Sequence, residues 1–351
     1  MSSFSELTET YKQFAVPAIA VKVSGASGSP RDITNTAGIT SLSLDLSTGS
    51  TASACRFDMT NVYTHKNSKV EPYVKLGEIV RVSVGYGSVL KPLFTGYIDN
   101  ISYSLNDGGQ SISVSCLDAR GLMKGNCSVI QAKDKKIAEV LGEMLDKYAP
   151  LVGSKSLDLD DIAEDAELLL DKNDLAIITK FAESRKAIFL MQNDKATIHK
   201  NTSEVCVSFD WSAGISACDV AMSFLEKKLK AKVRDAQNPD TSITLDVSVE
   251  QPGTQESPLQ TPIEHTFKSK EKEETSANLY LEALASQQKR GTQSGTITCI
   301  GLPELEPGKM LSINSFPLES ITNRTEYYIS AVNHSLSDSG FTTTVQFDLG
   351  V

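Results

Sequence analysis

Sliding the sequence against itself by 231 positions lays residues 77–116 on residues 308–347 without a gap. Gly77 falls on Gly308, Tyr97 on Tyr328, Ile98 on Ile329, Ser104 on Ser335, Leu105 on Leu336, Asp107 on Asp338, Gly109 on Gly340 and Val114 on Val345. These eight identities in forty positions compare with roughly two or three for unrelated sequences of average composition. In both copies a glycine-led apolar strand precedes a longer strand, a Ser-Leu-x-Asp-x-Gly turn and a strand of period two. The chain therefore uses one β unit twice, and any fold assigned to it must accommodate two similar sheets.

Around the first copy, alternation continues. Val16–Ser24 begins the first β run, and Leu42, Leu44 and Leu46, then Cys55, Phe57 and Met59, then Val80, Val82 and Val84 each fall on one face of a half-buried strand. Residues 1–15 read as a short helix or arm, and the polar stretch Thr60–Pro72 as an exposed loop. Asn106-Asp107-Gly108-Gly109 supplies turn residues that tolerate positive φ. Ile112, Val114 and Cys116 return on one face with Ser111, Ser113 and Ser115 on the other. Antiparallel strands joined in this way favour a barrel or a sandwich.

From Asn126 the period changes. Ile137, Val140, Leu141, Met144, Leu145 and Tyr148 form the stripe of an amphipathic helix that Pro150 and Gly153 end. A second helix is predicted from Asp171 to Ser184, followed by a hairpin of Ala187–Met191 and Ala196–His199. Residues 203–235 carry weaker signals: Leu229, Ala231 and Val233 alternate with lysines as in a strand, while a helix from Ala217 is also compatible. Thr241–Val249 is a strand, Gln251–Pro262 a loop or linker, and Glu271–Arg290 a long helix ended by Gly291. The second β unit closes the chain. The resulting division is a first β domain over 1–127, an α/β insertion over 128–205 and a second β domain over 206–351.

A length of 351 residues suits two or three domains, and 40% hydrophobic with 22% charged residues is ordinary for a globular chain. The net charge of −10 argues against a general nucleic-acid or anionic-membrane surface, since phosphates select lysine and arginine. No window approaches eighteen apolar residues and the N-terminus has no basic start before an apolar run, so neither a membrane span nor a secretory signal is expected. Six cysteines, at 55, 116, 127, 206, 218 and 299, are scattered without a Cys-x-x-Cys pair, which points to reduced thiols made in a cytosol.

No constellation of catalytic or ligating residues stands out. His65, His199, His265 and His334 lie in no metal-binding spacing, and His334 takes the repeat position of Tyr103, which makes it structural. The acidic run Asp158, Asp160, Asp161, Glu164, Asp165 and Glu167 lacks the glycine of a calcium loop and reads as a solvated face. Gly85-Tyr86-Gly87 has neither a third glycine nor a following helix, so a strand turn is preferred to a phosphate site. No Gly-x-Ser-x-Gly elbow occurs. No catalytic residue, cofactor or metal is therefore expected. The basic cluster Lys227, Lys228, Lys230, Lys232 and Arg234 reads as a solvated strand face, or alternatively as a docking surface for an acidic neighbour.

Four segments together carry a family resemblance. They are Leu93-Phe94-Thr95-Gly96-Tyr97-Ile98 with its hairpin, Asn173–Glu183 with its hairpin, Gly301-Leu302-Pro303-Glu304-Leu305-Glu306-Pro307-Gly308, and Tyr327-Tyr328-Ile329-Ser330-Ala331-Val332 with the final strands. In this order they resemble the baseplate hub proteins of contractile phage tails, the late control protein D family, and are similar to the hub half of the VgrG spike of type VI secretion. The resemblance implies a mainly β fold with an α+β insertion: two related tube-like antiparallel β-barrels in one chain plus a small α/β domain. It further implies a non-enzymatic homotrimer whose six β units form a symmetry adaptor between a sixfold tail tube and a threefold spike. Tail tube, spike and other baseplate proteins are then the partners, with DNA or cargo passing through the channel without specific binding and no membrane involved. Assembly in the bacterial host cytoplasm and incorporation into a virion or particle baseplate follow, for a phage, a tailocin or a related injection system. VgrG chains continue beyond their hub half, whereas this sequence ends at Val351 after its last strand, so a separate spike polypeptide is expected. The rival readings are a tail-associated peptidoglycan hydrolase, which needs paired carboxylates across a cleft, and a β-rich carbohydrate-binding tail component.

Overall fold

The computed structural model describes residues 2–25, 28–61, 63–66, 69–106, 109–128, 135–159, 172–200, 204–223, 228–235, 242–248, 263–269, 282, 286, 289–290, 292–322 and 324–349. Strands β1 (Ser2–Ser3), β2 (Pro17–Ser24), β3 (Arg31–Asp32), β4 (Ile39–Ser47) and β5 (Ala54–Met59) precede a small hairpin of β6 (Tyr63–Lys66) and β7 (Lys69–Pro72). β8 (Ile79–Tyr86), β9 (Val89–Asn106) and β10 (Gly109–Leu117) complete the first β unit. β11 (Ser154–Leu157), β12 (Ala187–Gln192) and β13 (Lys195–Lys200) belong to the insertion. β14 (Val205–Asp210) and β15 (Ile215–Met222) then lead to a separate three-stranded sheet of β16 (Lys228–Asp235), β17 (Ser242–Ser248) and β18 (Ile263–Ser269). β19 (Gln293–Ile300), β20 (Met310–Asn314), β21 (Glu326–Ser337) and β22 (Gly340–Asp348) form the second unit. The helices are α1 (Phe4–Thr10), α2 (Ala119–Gly125), α3 (Ile137–Asp146), α4 (Asp174–Ser184) and a short turn at Glu319–Thr322.

The repeat in the sequence is a repeat in the backbone along the paired hairpins, while the start of β9 at Val89 matches the helical turn Glu319–Thr322 that precedes β21. Cys116 lies opposite Ile98 and Leu117 opposite Tyr97, just as Phe347 lies opposite Ile329 and Asp348 opposite Tyr328. Both hairpins carry a bulge at the same point, where Asp99 in one and Ser330 in the other have no partner across the ladder. Ile79 faces Tyr97 as Met310 faces Tyr328. The duplication extends beyond the matched sequence. β4 on β5 and β15 on β19 share one register, including a bulge that skips Thr40 in the first and Ser216 in the second. The hydroxyls of both skipped residues donate across the ladder, Thr40 to the Asp58 carbonyl at 3.5 Å and Ser216 to the Thr298 carbonyl at 2.9 Å. Thus β4, β5, β8, β9 and β10 correspond to β15, β19, β20, β21 and β22.

Among the described strands, hydrogen bonding does not close either unit on itself. One 14-stranded sheet runs β1-β14-β20-β21-β4-β5-β10-β9-β8-β2-β3, with β22, β19 and β15 branching from β21. The units share this sheet because the second half of β21 takes β4 as its outer neighbour, from Ala331 opposite Ser47 to Leu336 opposite Leu42. Their apolar faces merge into one core cluster that includes Val21, Leu44, Phe57, Val82, Phe94 and Val114 from the first unit and Phe209, Ile297, Ile313, Ile329, Val345 and Phe347 from the second.

The insertion has its own core of Ile137, Leu141, Met144, Leu145, Ile177, Ile178, Phe189 and Ile198, which also takes in Ile79, Ala119 and Met123. Both helices expected there are present, and α4 starts at Asn173, whose side chain accepts a hydrogen bond from the Ala176 N–H at 2.8 Å. The hairpin turn sits at Asn193, which adopts a φ of 54°. β11 joins β13 in parallel, a strand that weak local patterning did not signal.

Two other readings change. Residues 60–72 are not a plain loop, since β6 and β7 satisfy each other's backbone from Tyr63 opposite Pro72 to Lys66 opposite Lys69. The helix compatible with a start at Ala217 is absent because β15 pairs with β19 over that span. β16 is a strand as the alternation suggested, central between β17 and β18. The helix expected over 271–290 lies largely outside the described residues, of which Glu282, Ser286, Lys289 and Arg290 are helical.

Candidate assembly surface

The side chains with structural consequence collect where the two units meet, and the sequence explains why they can do so. β4 presents Leu42, Leu44 and Leu46 at alternate positions, all buried, and β21 meets them with Val332 and His334 on the same face. Between them Asn333 projects the other way and donates through Nδ2 to Ser43 Oγ at 3.1 Å and to Asp45 Oδ1 at 2.6 Å. His334 Nδ1 lies 2.9 Å from Thr343 Oγ1, and burial lowers its pKa to about 3. It is therefore a neutral core group, consistent with the structural role read from its repeat position.

At one end of this junction Arg120 is 0% exposed. It is pinned by Asp118, whose carboxylate accepts from Arg120 Nε at 2.9 Å and Nη2 at 2.7 Å, from the Arg120 backbone N–H at 2.9 Å and from the Ser53 N–H at 3.0 Å. The remaining guanidinium N–H groups reach the Ser47 carbonyl at 2.9 Å, the Gly49 carbonyl at 3.2 Å and Ser53 Oγ at 2.6 Å. One buried ion pair thus caps α2, holds the end of β4 and fixes the loop after it. Next to it, Gly49 N–H donates to the Phe189 carbonyl of the insertion at 2.7 Å and Thr48 N–H to the Ser330 carbonyl of the second unit at 3.1 Å.

The N-terminal arm fills the other side. Its helix is started by a reciprocal Ser3–Glu6 capping box, and Tyr11 and Phe14 pack on Tyr86 with ring centroids 5.1 and 5.2 Å away. Tyr86 in turn touches Phe341 of the second unit at 5.6 Å and donates its hydroxyl to the Gly301 carbonyl at 2.8 Å. Tyr11 donates to Glu304 Oε1 at 2.5 Å. Burial raises the pKa of both tyrosines well above the usual phenol range. Gly85-Tyr86-Gly87 is thus a strand end whose tyrosine bridges the units. A cleft of about 270 Å³ opens where Leu46 and Lys91, Met191 and Gln192, and Glu306 come together from the first unit, the insertion and the second unit. Lys91 and Glu306 form an ion pair across it.

The chemistry-bearing residues singled out in the sequence are not brought together. The four histidines lie on four strands, β6, β13, β18 and β21, and among the described residues no group of three or more His, Cys, Asp or Glu could hold a metal ion. Cys55 and Cys116 face each other across β5 and β10, both buried, as is Cys299. Burial pushes the Cys299 thiol up to about 12 and Cys206 and Cys218 to about 11, so these sulfurs remain protonated packing groups. Cys127 is exposed. Of the acidic run, Asp158 is described and the others lie outside the described residues. Lys228, Lys230, Lys232 and Arg234 lie on β16, and Lys227 is outside the described residues. No helix among the described residues is long and apolar enough to cross a membrane.

No protein-family model matches the chain, and no curated protein matches it by sequence. Solved structures do. A tail protein from Neisseria meningitidis MC58 superposes with a TM-score of 0.70 at 14% identity, over 95% of this chain and 96% of that one. The 43 kDa tail protein of prophage MuSo2 from Shewanella oneidensis gives 0.68 at 15% identity, over 94% and 98%. The E. coli c3393 protein, described as a type VI secretion component with structural similarity to the T4 tail proteins gp27 and gp5, gives 0.60 at 9% identity, over 94% and 76%. The chain has the mainly β fold, with its inserted helices, that these proteins share.

Proposed function

We propose that this chain is a structural, non-enzymatic hub of a contractile injection particle, a phage tail, a tailocin or a related system. Three copies would form a ring that adapts a sixfold tail tube to a threefold central spike. The single observation that carries this reading is the duplicated β unit, repeated in register down to its bulges and joined edge to edge within one chain. Two such units per chain give three chains six similar β surfaces, which is the geometry a threefold-to-sixfold adaptor requires. The fold shared with tail proteins and with a secretion component over nearly the whole chain supports the same reading. In it, residues 1–127 and 206–351 are the two ring-forming β domains, each tube-like, and 128–205 is an α/β domain mounted on the first. Its partners are a tail tube on one side and a spike on the other, the particle is assembled in the bacterial cytoplasm, and DNA or cargo passes the channel without specific binding.

Multi-angle light scattering of the purified protein tests the proposal. A mass three times that of the 37.9 kDa chain is expected, whereas a monomer persisting at high concentration would overturn it. Clearing of a cell-wall suspension by the purified chain would overturn the non-enzymatic part.

A further inference from the structure

The junction between β21 and β4 has a counterpart that the single chain leaves open. By the correspondence of the two units, the second half of β9 stands where the second half of β21 stands, and β15 stands where β4 stands. Within the chain β21 has β4 outside it. Among the described strands, the Asn100–Leu105 half of β9 pairs only with β10, and β15 pairs only with β19. Among the described residues, each chain therefore carries one unpaired copy of each half of a junction it has already built once.

Exposure follows the same logic. His334 and Tyr103 occupy one repeat position, yet His334 is 1% exposed and Tyr103 is 55% exposed. Leu46 and Met222 occupy one position on β4 and β15, at 7% and 41%. Leu44 is fully buried where Val220 is half-buried, and Leu42 is buried where Cys218 is half-buried. Both strands alternate in sequence, Ile101, Tyr103 and Leu105 with Ser102 and Ser104, and Cys218, Val220 and Met222 with Asp219 and Ala221; Tyr103 and Met222 are exposed, and Ile101, Cys218 and Val220 are half-buried against the core. An uncovered edge with this alternation is a template for another strand.

We propose that Asn100–Leu105 of one copy pairs antiparallel with β15 of a second copy of this chain, in the register of the internal junction. Transposing Val332 opposite Leu46, His334 opposite Leu44 and Leu336 opposite Leu42 places Ile101 opposite Met222, Tyr103 opposite Val220 and Leu105 opposite Cys218 of the neighbouring copy. The contact is head-to-tail, so each chain gives one edge and receives one, and repetition of the internal step continues the sheet from copy to copy until the ring closes. This inference rests on the trimeric reading above and adds to it which strands meet and in which register.

The test uses the native cysteine at 218. In the full-length chain with Cys127→Ser removing the exposed thiol, Leu105→Cys is treated with copper-phenanthroline and run on a non-reducing gel, with Ser104→Cys as the one-residue register control. Leu105→Cys should convert most of the protein to reducible cross-linked dimers and trimers, and Cys218→Ser should abolish them. Ser104→Cys, whose side chain points to the other face, should give several-fold less. Equal cross-linking by the two variants would overturn the register. A second pair, Tyr103→Cys with Val220→Cys, reports the same contact if Leu105→Cys does not fold. A trimeric mass with no cross-link from either design would overturn the pairing while leaving the trimer intact, and a monomer without cross-links would overturn both.

Discussion

Gly77 and Gly308, 231 residues apart, do the same thing in two sheets. Each holds a positive φ, +78° and +90°, and each donates its backbone N–H at 2.9 Å to the carbonyl of the isoleucine twenty-one residues later, Ile98 and Ile329. Those isoleucines return the favour through their own N–H groups, at 2.9 Å to the Glu78 carbonyl and 2.8 Å to the Lys309 carbonyl.

Alanine at either glycine must adopt a left-handed backbone, at a cost of about 1–2 kcal/mol. At Gly77 an added Cβ meets nothing within 4 Å, whereas at Gly308 it would sit 2.8 Å from Leu190 Cδ2 and 3.3 Å from His199 Nε2. Urea unfolding should therefore show Gly308→Ala losing more stability than Gly77→Ala. Equal losses would mean that the insertion does not press on the second unit at this point.

Arg120→Met should cost about 3–5 kcal/mol, because it leaves the Asp118 carboxylate buried without its cation. Asp118→Leu combined with Arg120→Met should be less damaging than the two single changes added together. A double-mutant cycle by chemical denaturation gives the coupling, and a value near zero would show that the pair does not hold the β4 end.

His334 makes stability depend on pH in a defined direction. Its pKa in the folded chain is about 3 against 6.5 for the free side chain. Between those values the unfolded chain takes up a proton that the folded chain refuses. The contribution is thus complete above pH 6.5 and shrinks by about 1.4 kcal/mol for each pH unit below it. Relative to His334→Gln, the unmodified protein should lose stability steadily from pH 7 to pH 4, as measured by denaturation midpoints. Parallel pH profiles for the two proteins would contradict it.

Tyr86→Phe removes the hydroxyl that joins the two units at the Gly301 carbonyl and keeps the ring among Tyr11, Phe14 and Phe341. A loss of about 1–3 kcal/mol is expected from the buried carbonyl left without its donor. A change below a few tenths in the same unfolding assay would assign the bridging role to the ring alone.

Much of this architecture was legible in the sequence because it is written in local periods. The alternating leucines 42, 44 and 46, the apolar stripe from Ile137 to Leu145 and the paired Tyr-Ile steps at 97–98 and 328–329 each fix an element without reference to distant residues. β14 on β20 escaped because it is parallel, whereas its positional counterpart, β2 on β8, is antiparallel, and no local pattern distinguishes the two. Arg120 gave no signal either. A single arginine on a short helix acquires its meaning only when Asp118, Ser47, Gly49 and Ser53 converge on it.

What the sequence determined by itself is that one β unit occurs twice, since the hydrophobic alternation and turn residues that specify a strand hairpin act within the hairpin. What only the tertiary structure decided is which edge of each unit is covered. Tyr103 and His334 hold one position in the repeat, and one is open while the other is buried, because burial depends on the strand that arrives from elsewhere. β4 arrives at β21 by chain connectivity, and nothing in the chain arrives at the second half of β9 among the described residues.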